Sequence, residues 1–323
     1  MPHSIRAREA APAAAPKKTP NASSATAAAP VSPATLRPPN VQPLTDAHYG
    51  EVLAFLAAAP SVDTIFMSGL VRDNGIVSDF NRGTFYGCRD SQGQLAGVAL
   101  VGHATLVQTQ SEGALAAFAG LAKEAQAHVI VGEQEKVEHF WTHYEQGGQK
   151  PLRICRELFL EQRWPVETLT EAAALRLATA DDLETLVAIN ARMACDESGI
   201  NPLDEDAGGF RARLLRRIEL GRVWVWTGEG GRLLFKVDIM AEVPGCIYLE
   251  GVYVHPDERG RGYGRRAISQ LGRLLLARTE TLCLLVNEQN KDAQVFFFKA
   301  GYKLRACYDT IFLQPRRTTG EGN

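Results

Sequence analysis

Long apolar runs, surplus basic charge and patterned cysteine are all missing from these 323 residues. No stretch reaches the roughly 18 apolar residues that a membrane-crossing helix needs, so no membrane partner is expected. The 35 Lys and Arg are offset by 37 Asp and Glu, a formal net charge of -2. A protein that coats nucleic acid carries a strongly basic face, so no nucleic-acid partner is expected either. The six cysteines (88, 155, 195, 246, 283, 307) lie 24 to 67 residues apart, with no CxxC pair. That spread gives no zinc spacing and no disulfide framework, and no metal is expected. Reduced thiols in a cytoplasmic compartment are the plain reading. With 45% apolar and 22% charged residues, collagen, coiled coil and wholesale disorder fail on composition.

What is present has a clear organisation. The length suits two domains, each able to bury a core. Residues 1–40 are dominated by Ala, Pro, Ser, Thr and Asn, a composition that cannot offset its ordering entropy and reads as a disordered tail. Its five Lys and Arg against the single acid Glu9 also resemble an organelle transit segment, the minor alternative for localisation. After the tail the chain repeats itself. VQPLTDAHYGEVLAFL (41–56) resembles LRLATADDLETLVAIN (175–190), offset by 134. Each reads as a short strand, a Thr before a helix start, and an apolar helix face. GTFYGCRDSQGQLAGVALVG (83–102) parallels GRVWVWTGEGGRLLFKVDIM (221–240), offset by 138, each a predicted hairpin. VGEQEK (131–136) parallels VNEQNK (286–291), offset by 155, with four of six positions identical. Three matches in one order predict an internal duplication, over 41–165 and 170–315.

The drift from 138 to 155 means that the first copy is 17 residues shorter between hairpin and hexapeptide. In that interval the second copy carries IYLEGVYVHPDERGRGYGRRAISQLGRLLLA (247–277). Residues 247–254 alternate like a strand, Pro256 stops it, and Arg259-Gly260-Arg261-Gly262-Tyr263-Gly264-Arg265 leads into an amphipathic helix with Ile268, Leu271, Leu274 and Leu275 on one face. Strand, glycine loop, helix is an arrangement in which free backbone N–H groups meet a phosphate. A Walker loop is absent, and the third glycine falls one position early for a Rossmann fingerprint. Gly251, inside the strand, marks a bulge or a close backbone approach.

The RGxGxG loop behind VxVxP closely resembles the acetyl-CoA signature of the GNAT superfamily of N-acetyltransferases. CLLVNEQNKDAQVFFFKAGYK (283–303) and the opening LRLATADDLETL are similar to further parts of the same family, so the resemblance spans about 175–312. It implies an α/β fold with a mixed sheet and two tandem GNAT-like domains, the first degenerate: its glycines 102, 113 and 120 are scattered, and Asn287 and Asn290 align with Gly132 and Glu135. The resemblance further implies acetyl-CoA as co-substrate, held by Val252, Tyr253, Val254, the loop from Arg259 through Gly260, Arg261, Gly262, Tyr263 and Gly264 to Arg265, and Asn287, Asn290 and Phe297. Glu250 stands where many members carry a carboxylate base. Phe297 replaces the family's usual acid Tyr, leaving Tyr308 or Tyr302 as substitutes.

The expected activity is acetyl transfer to a small-molecule or protein amine in a ternary complex. A non-catalytic acyl-CoA sensor or interaction module is the alternative. His139 and His143, one helical turn apart, could seat a metal but lack a third ligand, so they read as structural. Arg211, Arg213, Arg216 and Arg217 read as a solvated helix face that could also draw an acidic acceptor.

Overall fold

The computed structural model describes residues 40–125, 127–167 and 175–315. Apart from Asn40, the segment read as a tail lies outside the described residues. The first half runs β1 (Asn40–Pro43), α1 (Tyr49–Ala57), α2 (Val62–Asn74), β2 (Gly83–Arg89), β3 (Leu95–Gly102), β4 (Ala104–Thr109), α3 (Glu112–Glu124), β5 (Val129–Glu133), α4 (Gln134–Tyr144) and β6 (Pro151–Gln162). The second repeats this order: β7 (Leu175–Leu177), α5 (Leu183–Ser198), α6 (Pro202–Glu219), β8 (Val223–Thr227), β9 (Leu233–Val243), β10 (Cys246–Val254), α7 (Tyr263–Leu276), β11 (Thr281–Asn287), α8 (Lys291–Lys299) and β12 (Lys303–Leu313).

Local chemistry explains the matched starts. Thr45 and Thr179 each open a short 3-10 turn before α1 and α5 with a capping box, Thr179 N–H donating to Asp182 Oδ2 at 2.8 Å. The hairpin match holds residue for residue. Phe85 pairs with Leu100 across β2 and β3, and Val223 pairs with Asp238 across β8 and β9, the same register at the same offset.

All twelve strands form one mixed sheet, in the order β1-β2-β3-β4-β5-β12-β6-β11-β10-β9-β8-β7. The last strands of the two halves are exchanged. β6 pairs with β11 of the second half, β12 pairs with β5 of the first, and β6 and β12 pair with each other at the centre. Helices α3, α4, α7 and α8 pack on one face, over Ile130 and Ile311 in the first half and Leu158, Leu160 and Val286 in the second. Helices α1, α2, α5 and α6 cover the other face. Helix α2 reaches past its own half: Val62 and Ile65 pack with Ala241, Tyr248 and Cys283. A Cβ on Gly69 would lie 2.5 Å from Ala241 Cβ, so glycine lets α2 settle directly on β9.

The hexapeptide match is out of phase with the pleat. Val131 packs on the α1–α2 side, whereas Val286 packs on the α7–α8 side. Strand β5 runs straight into α4, while residues 288–290 turn between β11 and α8, which shifts the alignment by one pleat.

Candidate functional site

Strands β10 and β11 are parallel neighbours only at Cys246–Tyr248 and Thr281–Cys283. Beyond Tyr248 they part, and among the described residues the edge of β10 from Glu250 onward has no strand partner on that side. The opening coincides with a bulge: the β9 register shifts between Glu250 and Tyr253, and Gly251 sits at φ +59°. A Cβ there would come within 2.8 Å of Lys236 Nζ. After the bulge, Val252 and Val254 face the α7–α8 core, and Tyr253 turns toward α5 and α6.

The glycine loop ends on α7. Gly260 and Gly262 have φ of +76° and +81°, and a Cβ on either would meet nothing within 4 Å, so conformation selects them and the space before them is open. Packing selects Gly264, where a Cβ would fall 2.7 Å from Val254. The first intrahelical bond is Arg266 N–H to Gly262 O. No side chain caps the helix and its first turn holds no acid, so the amides of 263–265 are free of intrahelical partners. Arg265 is exposed there, Arg259 Nε donates to Val254 O, and Arg261 pairs with Glu258. This is a fit for an anionic phosphate group.

On the α5–α6 side of the opening lies a charged group embedded in apolar sheet. Lys236 is fully buried and Asp238 is 3% exposed. Lys236 Nζ lies 3.0 Å from Asp238 Oδ2 and also bonds Asn190, while Arg217 reaches Asp238 at 3.1 Å. Asp238 is directly opposite Glu250 in the ladder, and its Oδ1 has no hydrogen bond. Burial presses the Lys236 ammonium below its ordinary range. Glu250 is accessible to solvent yet walled in by protein, because the strands part beside it. That desolvation raises its carboxyl; the Tyr248 hydroxyl, donating at 2.7 Å, and the nearby Arg217 pull it back in part.

Two further carboxyls join it. Glu157, on the exchanged strand β6, is opposite Asn287 on β11 and Tyr308 on β12, and accepts the Thr310 hydroxyl. Burial, with repulsion from Glu250 and Asp309, pushes it up to about 7. Glu197, in the last turn of α5, reaches solvent yet is crowded by protein; that desolvation, with repulsion from Glu157 and Glu250, pushes it up to about 7. The alternation in LLFKVDIM, with Lys and Asp two apart in an apolar strand, signals the Lys236–Asp238 pair in the sequence. Nothing local signals Glu157, which arrives through the strand exchange.

The remaining candidates are placed as follows. Asn287 Oδ1 accepts Gln289 N–H, and Asn290 Oδ1 caps α8 through Ala293 N–H at 3.0 Å. Phe297 is 6% exposed, packed in the core with Phe296 and Tyr302. Tyr308 is 1% exposed under α2, its Oη accepting Val62 N–H at 3.0 Å, and burial raises its hydroxyl pKa. Tyr302 is likewise buried and raised. Arg211 pairs with Glu184, Arg213 with Asp206, and Arg216 with Asn74 and the Asp73 carbonyl of the first half. Only Arg217 of these four reaches the buried charges. His143 pairs with Glu112, and no cluster of three metal-ligating side chains occurs among the described residues. The six thiols are free, Cys246 and Cys283 lying 3.4 Å apart. No helix among the described residues is long and apolar enough to cross a membrane.

Residues 237–311 match the family model described as FR47-like protein. No curated protein matches the chain. Among solved structures, it is similar to a GNAT-family acetyltransferase from Colwellia psychrerythraea, 12% identical over 85% of this chain and 100% of that one, with a TM-score of 0.55. A tandem GNAT protein from the clavulanic acid biosynthesis pathway is 13% identical over 86% and 99%, also at 0.55. A Drosophila protein is 12% identical over 85% and 98%, at 0.63. The chain has the GNAT fold, and the matched family segment runs from β9 through the glycine loop into β12.

Proposed function

We propose that this chain is a GNAT N-acetyltransferase that takes acetyl-CoA in its second half and transfers the acetyl group directly to an amine. The parting of β10 from β11 beside the uncapped start of α7 carries this reading. The residues fit the co-substrate: the free amides of 263–265 and the Arg259–Arg265 loop suit the pyrophosphate, and the side of Val252, Tyr253 and Val254 turned away from β9 suits the pantetheine and acetyl groups. Asn287, at the end of the parted β11, and Asn290, at the start of α8, would add further contacts, and Phe297 supports α8 from within.

Acetyl-CoA supplies a thioester carbonyl. The acceptor nitrogen must shed a proton to expose its lone pair, and Glu250 is the base at hand, its raised carboxyl poised closer to working pH than an exposed glutamate. The N–C bond forms as the C–S bond breaks, and the departing sulfur takes a proton. A thiol pKa of about 8.5 makes that thiolate a tolerable leaving group without a dedicated acid, so Tyr308 needs no part in it.

The non-catalytic alternative has two observations in its favour: Phe297 has no proton to give, and Tyr308 is held by α2. Steady acetylation of any amine by the full chain, lost in Glu250→Gln while acetyl-CoA still binds, supports the enzyme. Tight acetyl-CoA binding without turnover on a broad amine panel supports the sensor.

A further inference from the structure

The acceptor side of the opening is built from both halves of the chain. Glu157 is 8% exposed; one carboxylate oxygen takes the Thr310 hydroxyl, and the other has no hydrogen bond among the described residues. It shares a sheet face with Tyr248 and Glu250, which lie across the gap left by the parted strands. Arg153, four residues before it on β6, donates to the carbonyls of Asp196 and Glu197, which holds the end of α5, and with it Glu197, over the exchanged strand.

The cations nearby are already engaged. Lys236 and Arg217 both serve Asp238, and Arg153 serves the α5 carbonyls. Glu157 and Glu250 therefore lie on one sheet face at the gap, with Glu197 held over the exchanged strand by Arg153, and the neighbouring Arg217, Lys236 and Arg153 each bond another group; Glu250 disfavours the charge of Glu157, and both disfavour that of Glu197. Asp238, opposite Glu250, adds a buried oxygen without a partner. Unpaired carboxylates beside a place where an amine reacts are satisfied when the ligand brings the missing charge.

We propose that the acceptor is a dibasic amine and that Glu157, delivered by the strand exchange, acts with Glu197 as its specificity-determining residue. The two carboxylates hold the cationic group that does not react, while Glu250 takes the proton from the one that does. The first half thus completes the acceptor site of the second. This rests on the acyltransferase reading above.

The test compares 1,4-diaminobutane, 1-aminobutane and 4-aminobutanoate, equal in chain length with a cationic, a neutral and an anionic far end respectively, using the full chain. Expected kcat/KM falls in that order, with at least about a tenfold step between the first two, the worth of one charge-assisted hydrogen bond. Glu157→Gln brings that ratio close to one with acetyl-CoA affinity kept as the check on folding, and Glu157→Asp restores part of it. Equal kcat/KM for the three amines, or a Glu157→Gln variant that keeps the ratio, overturns the inference. Should acetyl-CoA fail to bind at all, the acyltransferase reading falls separately. Calorimetry with 1,4-diaminobutane then still decides: binding weakened in Glu157→Gln supports the carboxylate site, and no binding to the unaltered chain removes it.

Discussion

The two halves build the same hairpin in the same register and put opposite chemistry on it. Where the second half has Lys236 and Asp238, the first has Val98 and Leu100, and where Glu250 faces Asp238, Leu106 faces Leu100. Those three aliphatic residues are an ordinary buried core. The connection after the strand differs too: Gln110 and Ser111 lead directly into α3, with Ser111 capping it, while residues 255–262 form the open glycine loop before α7. A fold that is stable with leucines at these places gains nothing structural from charges there. The burial of Lys236 and Asp238 beside Glu250 fits the proposed chemistry instead.

The sharpest way to break this contrast is to convert one charge alone. Asp238→Leu strands Lys236 in the core and should destabilise the protein by about 3–5 kcal/mol in denaturant unfolding. Converting all three positions together, Lys236→Val with Asp238→Leu and Glu250→Leu, should instead leave stability unchanged or raised by about 1–4 kcal/mol while abolishing turnover. If the triple variant proves less stable than Asp238→Leu alone, the two hairpins are not interchangeable frames. Glu250→Gln should lower kcat about a hundredfold with acetyl-CoA affinity within about twofold; unchanged kcat removes Glu250 from proton transfer.

The pH dependence sharpens the same comparison. Glu157 is raised from 4.5 to about 7 in the folded chain, so the folded state keeps a proton that the unfolded state has lost. Its contribution to stability is full below pH 4.5 and is lost as pH rises through about 7, on the order of 2–3 kcal/mol for a group this buried. Unfolding free energies measured across that window should fall with pH, and the slope should flatten in Glu157→Gln. An equal slope in the variant would refute the assignment. The smallest effect belongs to the surface: Arg211→Ala, breaking an exposed pair with Glu184, should change stability by less than about 1 kcal/mol.

The sequence shows those parts of the molecule that are locally encoded. Thr45 and Thr179 mark helix starts because capping is a short-range bond, and the glycines of 260–264 mark a loop because their conformations and packing admit little else. The hairpins align because a two-residue period leaves no freedom in register. The exchange of β6 and β12 is invisible, since both are apolar strands after a helix and their patterns do not say which β5-like strand they pair with. Glu157 was hidden for the same reason. The hexapeptide match misleads by one pleat because sequence identity at 131–136 and 286–291 does not record the turn at 288–290. Asn290 shows a further limit: a polar residue before a helix serves as a cap as readily as a ligand contact.

The central claim is that the second half carries the acyl-CoA site and the first repeats its frame without one. Calorimetric titration of acetyl-CoA against the full chain and against Gly262→Glu tests it most directly, since a carboxylate at that position repels and obstructs a pyrophosphate. The account predicts one site per chain, lost in the variant. Two sites, or one that survives Gly262→Glu, would contradict it.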